Sequence, residues 1–108
     1  MNTLSTCAMI GDAGLACYGA AKAALANMTR AMAIDYAPEN IRVNSVAPGW
    51  IDTPMAKALS STPEIRSAVA ASTPLGRPAD PGEIAAVGLF LASDDATFVT
   101  GASMLRNR

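Results

Sequence analysis

The longest patterned stretch of the chain covers residues 17–37, where Leu25, Met28, Met32 and Tyr36 recur at three- and four-residue spacing. That spacing puts apolar side chains on one helical face, so we read a helix here with the stripe turned inward. Pro38 ends it, because the residue before a proline avoids helical backbone. The period then changes. Across residues 41–47, Ile41, Val43 and Ser45 fall on one side and Arg42, Asn44 and Val46 on the other, which reads as a short strand stopped by Pro48-Gly49. Residues 54–71 predict one or two short helices, interrupted near Ser61 and Pro63. Asp80-Pro81-Gly82-Glu83 has the form of a capping box, with Asp80 as N-cap, Pro81 at the first helical position and Glu83 reaching back. The helix it opens carries Ile84, Val87 and Leu91 inward and ends near Ser93-Asp94. Residues up to Ala8 read as a strand end and residues 98–105 as a last strand, with loops at 11–14 and 74–78.

Strand, helix, strand, helices, strand is the rhythm of an α/β fold with a parallel sheet. Three strands are few for such a sheet, which wants helices on both faces and neighbours on both edges. Residues 1–108 are therefore expected to be a single domain that is part of something larger.

Composition narrows the function classes. At 108 residues and net charge −1, the chain has room for one modest domain and carries no excess of basic residues for nucleic acid. It contains no histidine, which excludes His-based metal sites and a Ser–His pair. Cys7 and Cys17 are too few for a zinc site and are expected to be small buried apolar residues. No metal site is expected. Nothing resembles a signal peptide or a membrane span, so the expectation is a cytoplasmic protein.

The candidate chemistry lies near the N-terminus. Tyr18 and Lys22 stand four residues apart, with Ser5 thirteen residues before the tyrosine. On a helix, residues four apart share a face, which brings the lysine ammonium near the phenol. A free tyrosine titrates near about 10, and a nearby cation favours the phenolate. A phenol so placed can exchange a proton with an oxygen held in front of it, and a serine can donate a second hydrogen bond to that oxygen. The same pair is equally the spacing of an ordinary solvated helix face. Residues 14–22 superficially suggest a phosphate loop, but glycine does not precede Lys22 and no Ser or Thr follows it. Asp80 and Glu83 read as a cap rather than a catalytic carboxylate pair, and Arg42 and Arg77 as solvated or structural.

Further motifs agree in one register. Ser5, Tyr18-Gly19-Ala20-Ala21-Lys22, Ile41-Arg42-Val43-Asn44-Ser45-Val46-Ala47-Pro48-Gly49 and Thr53, then Gly76-Arg77-Pro78, Pro81-Gly82-Glu83-Ile84-Ala85 and Thr100-Gly101, resemble the C-terminal half of a classical short-chain dehydrogenase/reductase. The resemblance runs to about Arg106. It implies a partial Rossmann-like (doubly wound) α/β fold with parallel strands, without the N-terminal half. It also implies an enzyme that interconverts a small-molecule carbonyl and a secondary alcohol by hydride transfer with NAD or NADP, and a homodimer or homotetramer in full-length form. Tyr18 matches the acid–base, Lys22 the lysine that favours its phenolate and holds the nicotinamide ribose, and Ser5 the serine that polarises the substrate oxygen. Pro48, Gly49, Ile51 and Thr53 match the turn at the nicotinamide end of the cofactor. The stretch 54–73 matches the lid that sets substrate choice. The family's glycine-rich pyrophosphate turn, the residue that separates NAD from NADP, the Asn-Asn-Ala-Gly stretch and the helix asparagine of its catalytic tetrad have no match among these residues. Arg106-Asn107-Arg108 stands where the family has Val-Asp-Gly-Gly. The alternative expectation is accordingly a non-catalytic fragment, or a module that pairs its sheet edge with another chain and binds no cofactor.

Overall fold

A computed structural model describes residues 1–106. It contains three parallel strands, β1 (Asn2–Thr3), β2 (Ser45–Pro48) and β3 (Ser103–Arg106), in the order β1-β2-β3. Asn2 pairs with Ser45, and the β2–β3 ladder runs from Ser45 opposite Ser103 to Pro48 opposite Arg106. Between the strands lie helices α1 (Ala16–Tyr36), α2 (Pro54–Leu59), α3 (Pro63–Ser72) and α4 (Pro81–Ala92). The α/β class and the parallel sheet are as expected. So are the break between α2 and α3 and the capping box of α4, where Gly82 N–H donates to Asp80 and Asp80 N–H donates to Glu83 Oε2 at 2.8 Å.

The central strand sets the core. Residues 43–47 are all buried, as a strand covered on both faces requires. Leu4, Ala26 and Ala47 form the apolar centre, with Ala8 and Leu25 packed against it. Ile84 and Val87 are half-buried and Leu91 buried, so the inward face of α4 is the expected one.

The inward face of α1 differs from the stripe read in the sequence. Its buried residues are Ala26, Thr29 and Ala33; Met28 is 48% exposed and Tyr36 39%. Small side chains let the helix axis lie close to the sheet; of the stripe, Leu25 packs against the core and Met32 is half-buried, while Met28 and Tyr36 are exposed. Thr29 is fully buried because its hydroxyl donates to Leu25 O at 2.8 Å and accepts from Asn2 Nδ2 at 3.0 Å. Past Tyr36 the helix tightens into a 3₁₀ turn (Ala37–Glu39) that carries Pro38 and stops at Asn40 in the left-handed region, φ 59°; asparagine tolerates that conformation.

The flanking strands are shorter than expected. The chain leaves β1 after Thr3 and turns into a 3₁₀ helix (Thr6–Ala8), because the Ser5 hydroxyl accepts the Cys7 N–H at 3.2 Å and caps it. The last strand begins only at Ser103. Residues 94–96 form another 3₁₀ turn, Phe98 is fully exposed, and Gly101 reverses the chain at φ 72°. Both cysteines depart from the buried role. Cys7 is half-buried with its thiol donating to Asp12 at 3.9 Å, and Cys17 is exposed on the first turn of α1.

Candidate active site

Three elements carry the candidate residues. The first is the Ser5 turn. Leu4 N–H donates to Val46 O at 2.7 Å, which fixes the chain just before Ser5 against the central strand. The capping bond uses the serine oxygen as acceptor, so its O–H stays available to donate.

The second element is the start of α1. Gly19 faces the carbonyl of Cys7 so closely that an added Cβ would stand 3.0 Å from that oxygen. The absence of a side chain there lets the helix press against the Ser5 turn. Tyr18, one residue earlier, is 46% exposed, and its hydroxyl makes no hydrogen bond with the described residues. Lys22 Nζ lies 5.7 Å from the centre of the Tyr18 ring, within reach of a cation–π contact. The same ammonium donates to Thr3 O at 2.9 Å. That bond ties the helix to the end of β1, two residues before Ser5, and leaves two of the three ammonium protons for other acceptors. Lys22 thus joins the Tyr18 ring to the end of β1, two residues before Ser5. The Thr3 carbonyl, which orients Lys22, had no sequence signal, because every residue carries one.

The third element is the turn after β2. Ala79 is buried beside it, with Ala79 N–H donating to Trp50 O at 3.0 Å and Asp52 N–H donating to Ala79 O at 2.8 Å. Ile51 and Ala79 form a parallel bridge. Arg77 braces this arrangement through two hydrogen bonds to Glu83, of 2.7 and 2.9 Å, and one to Pro78 O. The hydrogen-bonded Glu83 carboxylate holds the Arg77 pKa above its ordinary value. Thr53 caps α2, its oxygen accepting from Ala56 N–H at 3.2 Å, and Pro54 occupies the first helical position. Its hydroxyl proton remains free for a ligand. Pro48, Gly49 and Ile51 are half-buried along the same turn.

The donors fit a nicotinamide riboside. They comprise a half-exposed phenol, an ammonium with protons to spare and a free threonine O–H beyond a parallel strand end, where open α/β sheets bind ligands. No group of His, Cys, Asp and Glu among the described residues could hold a metal ion.

A family model described as Enoyl-(Acyl carrier protein) reductase matches residues 1–107. The chain is 47% identical over 102 residues to cis-4-hydroxycyclohexanecarboxylate dehydrogenase of Sinomonas cyclohexanicum, a match that covers 94% of this chain and 40% of that protein. It is 46% identical over 104 residues to meso-2,3-butanediol dehydrogenase of Serratia marcescens, covering 96% and 41%. Among solved structures, 4-hydroxyisoleucine dehydrogenase complexed with NADH superposes with a TM-score of 0.92 at 32% identity, covering 96% of this chain and 43% of that one. NAD+-bound xylitol dehydrogenase also gives 0.92, at 31% identity, covering 98% and 46%. An α/β frame of this kind, with these motifs in this register, is the Rossmann-type fold of those dehydrogenase structures. The chain belongs to the short-chain dehydrogenase/reductase family. It spans about two fifths of the length of the curated relatives it matches.

Proposed function

We propose that this chain supplies the proton-transfer half of an oxidoreductase that interconverts a small-molecule carbonyl and a secondary alcohol. The observation that carries the reading is the convergence of Lys22 on both the Tyr18 ring and the Thr3 carbonyl. Ser5 donates a hydrogen bond to the substrate oxygen and holds it. Tyr18 transfers the proton at that oxygen, giving it in reduction and taking it in oxidation. The Lys22 ammonium stabilises negative charge that develops on the phenol oxygen and offers its remaining protons to ribose hydroxyls. Thr53 and the backbone of Pro48, Gly49 and Ile51 orient the nicotinamide end. A bound NAD(H) or NADP(H) supplies the hydride chemistry. The family and the NADH- and NAD+-bound neighbours support a nicotinamide cofactor, and the alcohol substrates printed in the relatives' names support the reaction class.

The test is Tyr18→Phe in a protein that joins these residues to a dinucleotide-binding half. Nicotinamide absorbance is followed with time for parent and variant. The expected loss is at least about a hundredfold, the usual range for a removed acid–base group, with the circular dichroism spectrum unchanged. A variant that keeps a tenth of the parent rate would show that Tyr18 does not carry the proton.

A further inference from the structure

Between the turn after β2 and helix α3 lies a cavity of about 300 Å³, walled by Trp50, Ile51, Ala56, Val69 and Pro78. Asp52, Lys57 and Arg66 also line it. Asp52 and Lys57 neutralise one another, with Nζ 3.2 Å from Oδ1. The Arg66 guanidinium makes no hydrogen bond or ion pair with the described residues. Ser60 lines it too, its hydroxyl already donating to Ala56 O at 2.7 Å. Among the described residues Arg66 is therefore the lining side chain whose charge is uncompensated, beside a largely apolar wall of small-molecule size. A guanidinium presents a planar fork of N–H donors that matches a carboxylate.

We propose that this cavity takes the apolar body of an acidic small molecule and that Arg66 reads its carboxylate. Ile51 belongs both to the cavity wall and to the candidate cofactor turn, which makes that molecule the substrate. To this extent the inference rests on the oxidoreductase reading. Arg66 is then a specificity-determining residue, selecting alcohols or ketones that carry a carboxylate over their uncharged analogues. The charge is offered by an exposed side chain at the rim, and the apolar wall supplies the remainder of the recognition.

Trp50 is the only tryptophan in the 108 residues and stands in the cavity wall, so its emission reports occupancy directly. The chain is titrated with phenylacetate and with phenylacetamide, which have the same size and differ in charge. Phenylacetate should change the Trp50 emission saturably, at concentrations about tenfold below those needed for the amide, as a charge-assisted hydrogen bond implies. Arg66→Gln should abolish that preference while leaving the amide response and the circular dichroism unchanged. A double variant, Asp52→Asn with Lys57→Gln, should keep the preference. Equal titrations by acid and amide, or a preference that survives Arg66→Gln, would overturn the proposal. The measurement needs neither cofactor nor turnover, so a failed Tyr18 experiment strikes the oxidoreductase reading and leaves this result standing.

Discussion

Asn44 is the residue whose replacement should cost this fold most for its size. It is 3% exposed and sits just before β2. Its Nδ2 donates to Val99 O at 2.7 Å, and its Oδ1 accepts from Ala102 N–H at 3.0 Å. One side chain thus satisfies both ends of the turn that feeds β3. Replacement by alanine strips the half-buried Ala102 N–H of its acceptor and leaves the Val99 carbonyl only the long Arg42 Nη1 contact at 3.5 Å. One orphaned group costs about 1–3 kcal/mol of desolvation, and weakening the second bond adds to it, so Asn44→Ala should destabilise by roughly 1–4 kcal/mol. Against a typical total of about 5–15 kcal/mol, that is a large fraction. Asn44→Asp is the sharper probe. It keeps the acceptor for Ala102 but sets a carboxylate oxygen against the Val99 carbonyl in a buried site, and should be at least as damaging as alanine. The assay is urea denaturation followed by circular dichroism at about 222 nm, where the midpoint should fall and the slope stay constant. A change in Asn44→Ala within about 0.5 kcal/mol, the size of an ordinary surface substitution, would refute this account of the β2–β3 connection.

Two further outcomes follow from the structure. Gly101→Ala should lose roughly 1–2 kcal/mol in the same denaturation assay, because φ 72° is a left-handed conformation that a Cβ disfavours; an unchanged midpoint would contradict the backbone geometry at the entry to β3. We also propose that the full-length protein is a dimer or tetramer that covers the exposed Met28 and Tyr36 side of α1; sedimentation velocity at micromolar concentration should show it, and a monomer would contradict it.

How much of this was legible beforehand depends on how local each signal is. The capping box of α4 and the Thr53-Pro54 start of α2 are written within four residues, and each formed where it was read. The Tyr18–Lys22 pair was legible for the same reason, since one helical turn fixes its geometry. The packing face of α1 was not. Its hydrophobic signal comes from Leu25, Met28, Met32 and Tyr36, of which Leu25 packs against the core, but the buried positions are Ala26, Thr29 and Ala33, because close approach there rewards small volume over apolar area. Strand limits were misplaced for another reason. Parallel pairing joins residues more than forty positions apart, and nothing near Ala8 or Phe98 states where the ladder stops. Cys17 fails as a core residue because its place on α1 turns it to solvent, a matter of helical phase rather than residue type.

The chain divides into a braced part and a loosely attached part, and the division matches the proposed chemistry. Lys22 is bonded to Thr3 O at the end of β1, Leu4 beside Ser5 is bonded to Val46 O of β2, and Gly19 beside Tyr18 packs on the Cys7 carbonyl. The turn after β2 is clamped by Ala79 and by the Arg77–Glu83 pair. Proton transfer demands such fixity, since small displacements of an acid relative to its acceptor are costly. Helices α2 and α3 are secured differently. Ser60, Val69 and Thr73 are buried beneath them, whereas Met55, Leu59 and Ile65 face outward. A segment with so few inward residues can change its outer side chains without disturbing β2 or the start of α1, where Tyr18 lies. On the proposed reading, substrate choice would vary on α2 and α3, through residues such as Arg66, while Tyr18 and Lys22 keep one geometry.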